Sequence, residues 1–251
     1  MIRIRRHAAL ALLWIACSLS SAYAQTAFKM PTRFNIGGSF MVSQPKESLG
    51  DNISTGFGAT GGLIYNLTSS GLLGLRFDLS HSQYGHEKKS VPLSETVGSR
   101  VLVDVHTNNT ITALTLAPEV AKPNGFLRPY ANFGYSRLFF RTTSSVKMDN
   151  SEDGGSVSTT NQKDGAGAWV YGGGVRVQLG HKGSPVTLDT GLRYFHGGFA
   201  SYLREGSIQD NPDGSVTITP LTSRTPFVMY TIGVKFQIPY DSNKPCARVL
   251  C

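Results

Sequence analysis

The chain is poor in cysteine, in long apolar runs and in excess charge. It has three cysteines in 251 residues, and none lies between Cys17 and Cys246. A disulfide framework through the body of the chain is therefore excluded. Cys246 and Cys251 sit five apart in the tail without a nearby histidine, which is no zinc site. They read either as a small local disulfide in an oxidising compartment or as two unpaired tail thiols. No segment after the N-terminal stretch approaches the ~20 apolar residues of a membrane helix. The formal charge of +8 falls to +5 once Arg3, Arg5 and Arg6 are set aside, and that excess is no argument for nucleic acid. Few helix formers and much Gly, Thr, Ser and aromatic residue indicate an all-β chain.

The N-terminal stretch reads as an export signal. Arg3, Arg5 and Arg6 precede the short apolar core Ala8 to Ala16, and Ala22-Tyr23-Ala24 is a small-x-small cleavage site. Residues 1–24 are then a cleaved signal peptide and the mature chain begins at Gln25. Cys17 raises the alternative of a lipoprotein, but Trp14-Ile15-Ala16 fits that processing site poorly. The remaining 227 residues are one domain by length. We divide them into a short segment 25–33, a strand-rich body 34–239 and a tail 240–251.

Eight period-two stretches fill the body. They are Phe34–Ser43, Thr55–Leu67, Leu73–Ser80, Arg100–Val120, Phe126–Arg141, Ala168–Leu179, Val186–Phe199 and Thr225–Pro239. The last is the clearest: Val228, Tyr230, Ile232, Val234, Phe236 and Ile238 oppose Met229, Thr231, Gly233, Lys235 and Gln237. In the fourth stretch the parity of apolar residues changes near Asn108-Asn109, which predicts a bulge there. Tight turns follow the second, fourth and sixth strands, at 68–71, 122–125 and 181–184. Long polar connections follow the others, at 44–52, 85–99 and 142–167. The last connection carries a predicted hairpin, Ser207-Ile208-Gln209 against Ser215-Val216-Thr217. Short turns alternating with long loops are the asymmetry of a transmembrane barrel. A sheet closes there because an open edge in lipid leaves backbone groups unpaired.

Alternation alone does not say which face meets solvent. A lipocalin-like soluble barrel would put Leu and Val inside. Here the polar parity is rich in glycine and small residues, which suits a narrow lumen. Tyr65, Tyr135, Trp169, Tyr194 and Phe236 fall near strand ends on the apolar face, as interfacial girdles do. We therefore assign the apolar face to lipid.

Two local patterns carry a resemblance. Thr231, Gly233, Phe236 and Ile238 match the C-terminal assembly signal of outer-membrane barrels. Arg128-Pro129-Tyr130 running into Gly134-Tyr135 resembles a Pro-Tyr…Gly strand common in small ones. Over Phe34 to Ile238 the chain resembles the eight-stranded outer-membrane protein β-barrel family, the opacity-protein and outer-membrane-protein-A transmembrane type. The resemblance implies an all-β, eight-stranded antiparallel up-and-down barrel in the bacterial outer membrane, with both termini periplasmic. It implies a monomer that meets outer-membrane lipids, lipopolysaccharide and the barrel-assembly machinery, and that reaches a host or cell-surface ligand through its loops. Adhesion or envelope integrity is implied in the same way. The chain departs from the pattern by continuing thirteen residues past Ile238.

The charged residues on the inward parity are Arg76, Arg128, Arg176, Arg193 and Lys235 against Asp78, Glu119 and Asp189. One reading is a paired network filling a lumen just wide enough for side chains. The other is a narrow, anion-preferring pore, because positive charge is in excess. A lipid A-modifying enzyme would need a serine and a histidine on one face. Ser80-His81-Ser82 puts them on opposite faces, His106 has Asp104 and Asn108 beside it but no serine, and His196 precedes two glycines. No catalytic, cofactor-binding or metal-binding residue is expected. The loops mix both signs, as in His86-Glu87-Lys88-Lys89, in the third loop with Lys163 and Asp164, and in the fourth with Arg204 and Glu205. They read as solvated surface or as a contact surface.

Overall fold

A computed structural model describes residues 32–92, 102–147, 156–180, 184–211 and 215–239. Residues 1–24, expected to be a signal peptide, most of segment 25–33, and the tail with Cys246 and Cys251 lie outside them. So do the central residues of the 181–184 turn and the 212–214 hairpin tip.

Eight strands form a closed antiparallel barrel. They are β1 (Thr32–Pro45), β2 (Gly56–Asn66), β3 (Leu73–Pro92), β4 (Leu102–Ala121), β5 (Leu127–Lys147), β6 (Ser156–Gln178), β7 (Val186–Gly197) and, at the end of the chain, β12 (Phe227–Pro239). Each pairs with its sequence neighbour in the ring, and β12 closes on β1 from Phe34↔Ile238 to Pro45↔Phe227. Closure follows from the sequence because every strand has one apolar and one small or polar face. No helix among the described residues is long and apolar enough to cross a membrane.

Both ends of the barrel's chain path and the three short turns lie at one rim. Gly71 and Gly125 sit in two of those turns with φ of 76° and 114°, a backbone region that side chains with a Cβ rarely adopt. At the other rim β3 to β6 run on far beyond the rest. They have 20, 20, 21 and 23 residues, where ~9–11 suffice to span a bilayer. The described parts of the segments 85–99 and 142–167, expected to be loops, are strand: residues 85–92, 142–147 and 156–167. Their alternation is invisible because neither face of a strand standing in water needs to be apolar.

The expected bulge at Asn108-Asn109 is also corrected. β4 keeps an unbroken register there, and the irregularity lies in its partner, between Gln83 and Gly85. Tyr84 is the extra residue and is buried inside. The change of parity in β4 instead marks where the strand leaves the apolar belt.

Between β7 and β12 the chain forms a cap rather than one long hairpin. It contains β8 (Phe199–Tyr202), β9 (Ile208–Asp210), β10 (Val216–Ile218) and β11 (Leu221–Arg224), paired as β8 with β11 and β9 with β10. The pairing of β9 with β10 is the predicted 207–217 hairpin. A short helix α1 (Glu47–Gly50) follows β1 and tucks Leu49 under the same cap.

Candidate functional site

The outer wall is an apolar belt. Ile36, Phe40, Phe77, Leu79, Leu116, Phe133, Trp169, Ile232 and Phe236 are all exposed on it. Trp169 stacks on Phe133 at 5.6 Å and meets Tyr135 edge-on at 5.4 Å, forming an aromatic row toward the long-strand rim. So contiguous an apolar surface excludes water as its solvent. The last-strand pattern divides between the faces: Phe236 and Ile238 point outward, while Thr231 is buried inward and Gly233 lies against Ser39.

The lumen nearer the short turns is ionic. Arg76 meets Asp78 at 2.6 Å, Glu119 at 3.2 Å and Asp189 at 3.8 Å. Arg176 meets Glu119 at 2.5 Å and Asp189 at 3.8 Å. Arg193 reaches Asp78 at 2.6 Å, and Lys235 reaches Asp189 at 2.8 Å. Charges this deep hold only when each has a partner, because desolvation of a lone ion costs several kcal/mol. Arg128 stands apart from the carboxylates. With the amide of Gln237 turned so that its oxygen accepts, both terminal nitrogens of Arg128 donate to it. The structure thus brings together Arg76, Asp78, Arg176, Asp189, Arg193 and Lys235, with Glu119 as the hub joining Arg76 to Arg176.

Glycines make room for this network. Asp78, Arg193 and Lys235 each lie across from a glycine, Gly62, Gly172 and Gly37 respectively. A Cβ on any of the three would collide with the facing side chain. Tyr130 uses the same device. Its hydroxyl lies 2.6 Å from where a Cβ would stand on Gly174 and on its partner Gly191. The ring covers that pair and receives the Arg176 guanidinium at 4.4 Å and that of Arg76 at 5.5 Å. Tyr130 stands two residues after Arg128, on the same inward parity, but the spacing alone does not join it to the arginines. The facing glycines were the available signal.

The lumen nearer the long strands is apolar. Met41, Ile111, Leu138, Phe140, Val170, Phe195, Phe227 and Met229 are buried there together. Phe195 and Phe227 stack at 4.4 Å, and Phe140 packs on Tyr202 of the cap at 5.6 Å. The cap is fastened across the mouth. Tyr84 donates to the Leu203 carbonyl at 3.0 Å, Lys89 to the Ile208 carbonyl at 2.7 Å, and the Gly206 N–H to Glu87 at 3.2 Å. Asp164, above the apolar belt, holds the opposite side, accepting from the Ser201 N–H at 2.6 Å and the Gly165 N–H at 2.7 Å. Those two backbone donors hold the Asp164 carboxyl below the usual carboxylate range. Sequence reading missed this plug. Its signal was the loss of alternation at Leu138-Phe139-Phe140 and Phe227-Val228-Met229-Tyr230, where both parities turn apolar.

Of the histidines, His81 points outward, and its Nδ1 lies 2.9 Å from Thr112 Oγ1 on the neighbouring strand. Ser80 and Ser82 point inward and are buried. Among the described residues no carboxylate is hydrogen-bonded to His81. His86 stacks on His106 at 5.7 Å in the projecting β3–β4 hairpin. No group of His, Cys, Asp or Glu among the described residues is arranged to hold a metal.

Residues 9–215 match the family model described as outer membrane protein beta-barrel domain. The chain belongs to that family. Membership places it in the bacterial outer membrane, in agreement with the apolar outer wall. Among solved structures it is similar to Neisserial surface protein A, with 14% identity over 82% of this chain and 98% of that one, at a TM-score of 0.41. It is similar to Ail, the attachment invasion locus protein of Yersinia pestis, with 13% identity over 83% and 100%, at 0.43. A major outer membrane protein from Thermus thermophilus gives 12% identity over 81% and 99%, at 0.44. No curated protein sequence matches the chain. The family assignment rests on the family model.

Proposed function

We propose that this outer-membrane barrel acts through its projecting rim, as a non-catalytic surface-interaction or envelope-stabilising protein. The observation that carries the reading is the pairing of β5 with β6 from Leu127↔Val177 as far as Lys147↔Ser156. That ladder continues well past the apolar belt, as does the β3–β4 ladder to Pro92↔Leu102. A sheet held rigid in water is a platform, whereas its lumen is occupied along its length by ions below and apolar side chains above. The same reading puts the short turns and both termini in the periplasm, after removal of residues 1–24. It favours the monomer and makes a host or cell-surface molecule the partner of the platform.

The test trims the two projecting hairpins, deleting residues 86–107 and 143–161, and expresses wild type and variant in a Gram-negative host. A heat-modifiable band in the outer-membrane fraction shows that each barrel is closed. The reading expects trimmed cells to lose adherence to host cells, or to become sensitive to detergent, while the barrel persists. Trimmed cells indistinguishable from wild type on both counts would contradict it. Lipid A from expressing cells keeps its acyl chains under this reading, and a change in chain number would assign an enzyme instead.

A further inference from the structure

The charges in the ionic half of the lumen do not balance. Five cations, Arg76, Arg128, Arg176, Arg193 and Lys235, stand against three carboxylates, Asp78, Glu119 and Asp189. A buried charge without a counter-charge is strongly unfavourable. The surplus gathers at one place. Asp78, Glu119 and Asp189 are shared among Arg76, Arg176, Arg193 and Lys235. Among the described residues Arg128 meets no carboxylate, and its acceptor is the neutral amide oxygen of Gln237.

The strand register adds to the strain on Arg128. It is the direct cross-strand partner of Arg176, β5 against β6, and like charges directly opposite destabilise a sheet. The two side chains run in opposed directions. Arg176 reaches back to Glu119 on β4, and Arg128 reaches forward to Gln237 on β12. With the ring ordered β4, β5, β6, β7, β12, those two paths cross when viewed down the barrel. The guanidinium ends turn to these partners, and the Nε of each arginine is buried without a hydrogen-bond partner. Asp189 does not serve either of them. It lies across Arg176 from Arg128, on β7, and stands 3.8 Å from the Arg176 Nε, beyond hydrogen-bond reach.

The donors and the space select the occupant. Two single N–H groups on two cations suit a monatomic anion, whereas an oxyanion is gripped through the paired donors of a guanidinium fork. An eight-stranded lumen is filled by its side chains, which leaves room for a small ion. On the side of the long strands the Tyr130 ring covers Arg176 at 4.4 Å, and the apolar half lies beyond it.

We propose that the lumen holds one halide-class anion, chloride, between Arg128 and Arg176. It enters from the short-turn rim and goes no further. Its charge converts the repulsion of the two arginines into two attractions and offsets part of the buried surplus. The proposal does not depend on the projecting rim.

The experiment uses the full chain refolded in zwitterionic micelles, in sodium chloride and in sodium gluconate at equal ionic strength. Heat-modifiable migration first shows that each variant is closed. Binding is read by broadening of the chloride NMR line, and its linkage to folding by urea unfolding. Wild type broadens the line. At ten times the half-saturating chloride its unfolding equilibrium constant is about tenfold lower than in gluconate. Arg128→Gln removes the surplus charge and one donor without stranding a carboxylate. It loses the broadening, and its unfolding constants in the two salts agree within about twofold. Gln237→Glu gives Arg128 a carboxylate from within the chain and abolishes the chloride dependence in the same way. Lys122→Gln, in a short turn, behaves as wild type. Wild type that unfolds equally in both salts and leaves the chloride line sharp overturns the site. A chloride effect kept in full by closed Arg128→Gln and Gln237→Glu overturns its placement. Sulfate that displaces chloride at equal or lower concentration reassigns the place to an oxyanion and overturns the halide assignment. Steady anion-selective conductance in planar bilayers makes the ion a passenger in a pore and overturns its residence.

Discussion

The two halves of the lumen are filled by opposite chemistry. Nearer the short turns, seven buried charged side chains from five strands, four cations and three carboxylates, pair around Glu119 and Asp189. Nearer the long strands, the same inward parity carries Leu138, Phe140, Val170, Phe195 and Phe227 under a folded cap. The ionic half is held by pairing and fails when a partner is removed. The apolar half is held by volume and fails when a side chain shrinks. Under the function proposed above each half closes the barrel by itself, and neither is needed alone to prevent leakage.

The largest effect is expected from Asp189→Ala. It strips Lys235 of its carboxylate and weakens the hold on Arg176 and Arg76, at a cost of ~3–5 kcal/mol for breaking a buried pair. Urea unfolding in micelles, followed through Trp169 fluorescence, measures it. The apolar half keeps the variant closed to ions. Phe140→Ala comes next, at ~3 kcal/mol in the same assay. The loss falls at the lower end because the cap can settle into the space. Its ionic half stays intact, so it too remains closed, and only the two changes together produce conductance.

Gly191→Ala is expected to cost ~1–3 kcal/mol, because the new methyl meets the Tyr130 hydroxyl over a packed ring. Tyr130→Phe in the same chain removes the colliding oxygen and restores most of the loss. A double-mutant cycle that shows no coupling between the two positions would break this account of how the ring is seated. The smallest effect concerns the cap. Asp164 is held below the ordinary carboxylate range by backbone N–H groups, so its contribution is present in full above that range. It is lost as the pH falls through the lowered folded value. Hydrogen exchange at the Ser201 amide is expected to quicken below that point, and Asp164→Asn is expected to quicken it at neutral pH.

The ring of strands was legible because lipid and lumen impose opposite demands on alternate residues. Tyr230 to Ile238 against Thr231 to Gln237 shows this without ambiguity. The network residues were legible for the same reason, since a charge on the inward parity has nowhere else to go. What was not legible begins where lipid ends. Thr142 to Lys147 and Ser156 to Gln162 looked like loop because both faces of a strand in water are polar, yet they pair as a ladder. The plug was hidden for the converse reason. Phe140 and Phe227 sit on the parity assigned to polar residues, and only the cap that covers them explains their burial.

The central claim is that this barrel is shut by its own side chains from one rim to the other. Single-channel recording on the refolded full chain in planar bilayers tests it most directly, across the voltage range in which the bilayer itself is stable. The account predicts no steady conductance for wild type, for Asp189→Ala or for Phe140→Ala, and openings for the variant carrying both changes. A stable open level in the wild-type chain, with preference for anions, would contradict it and would make the excess positive charge of Arg128 and its neighbours the lining of a pore.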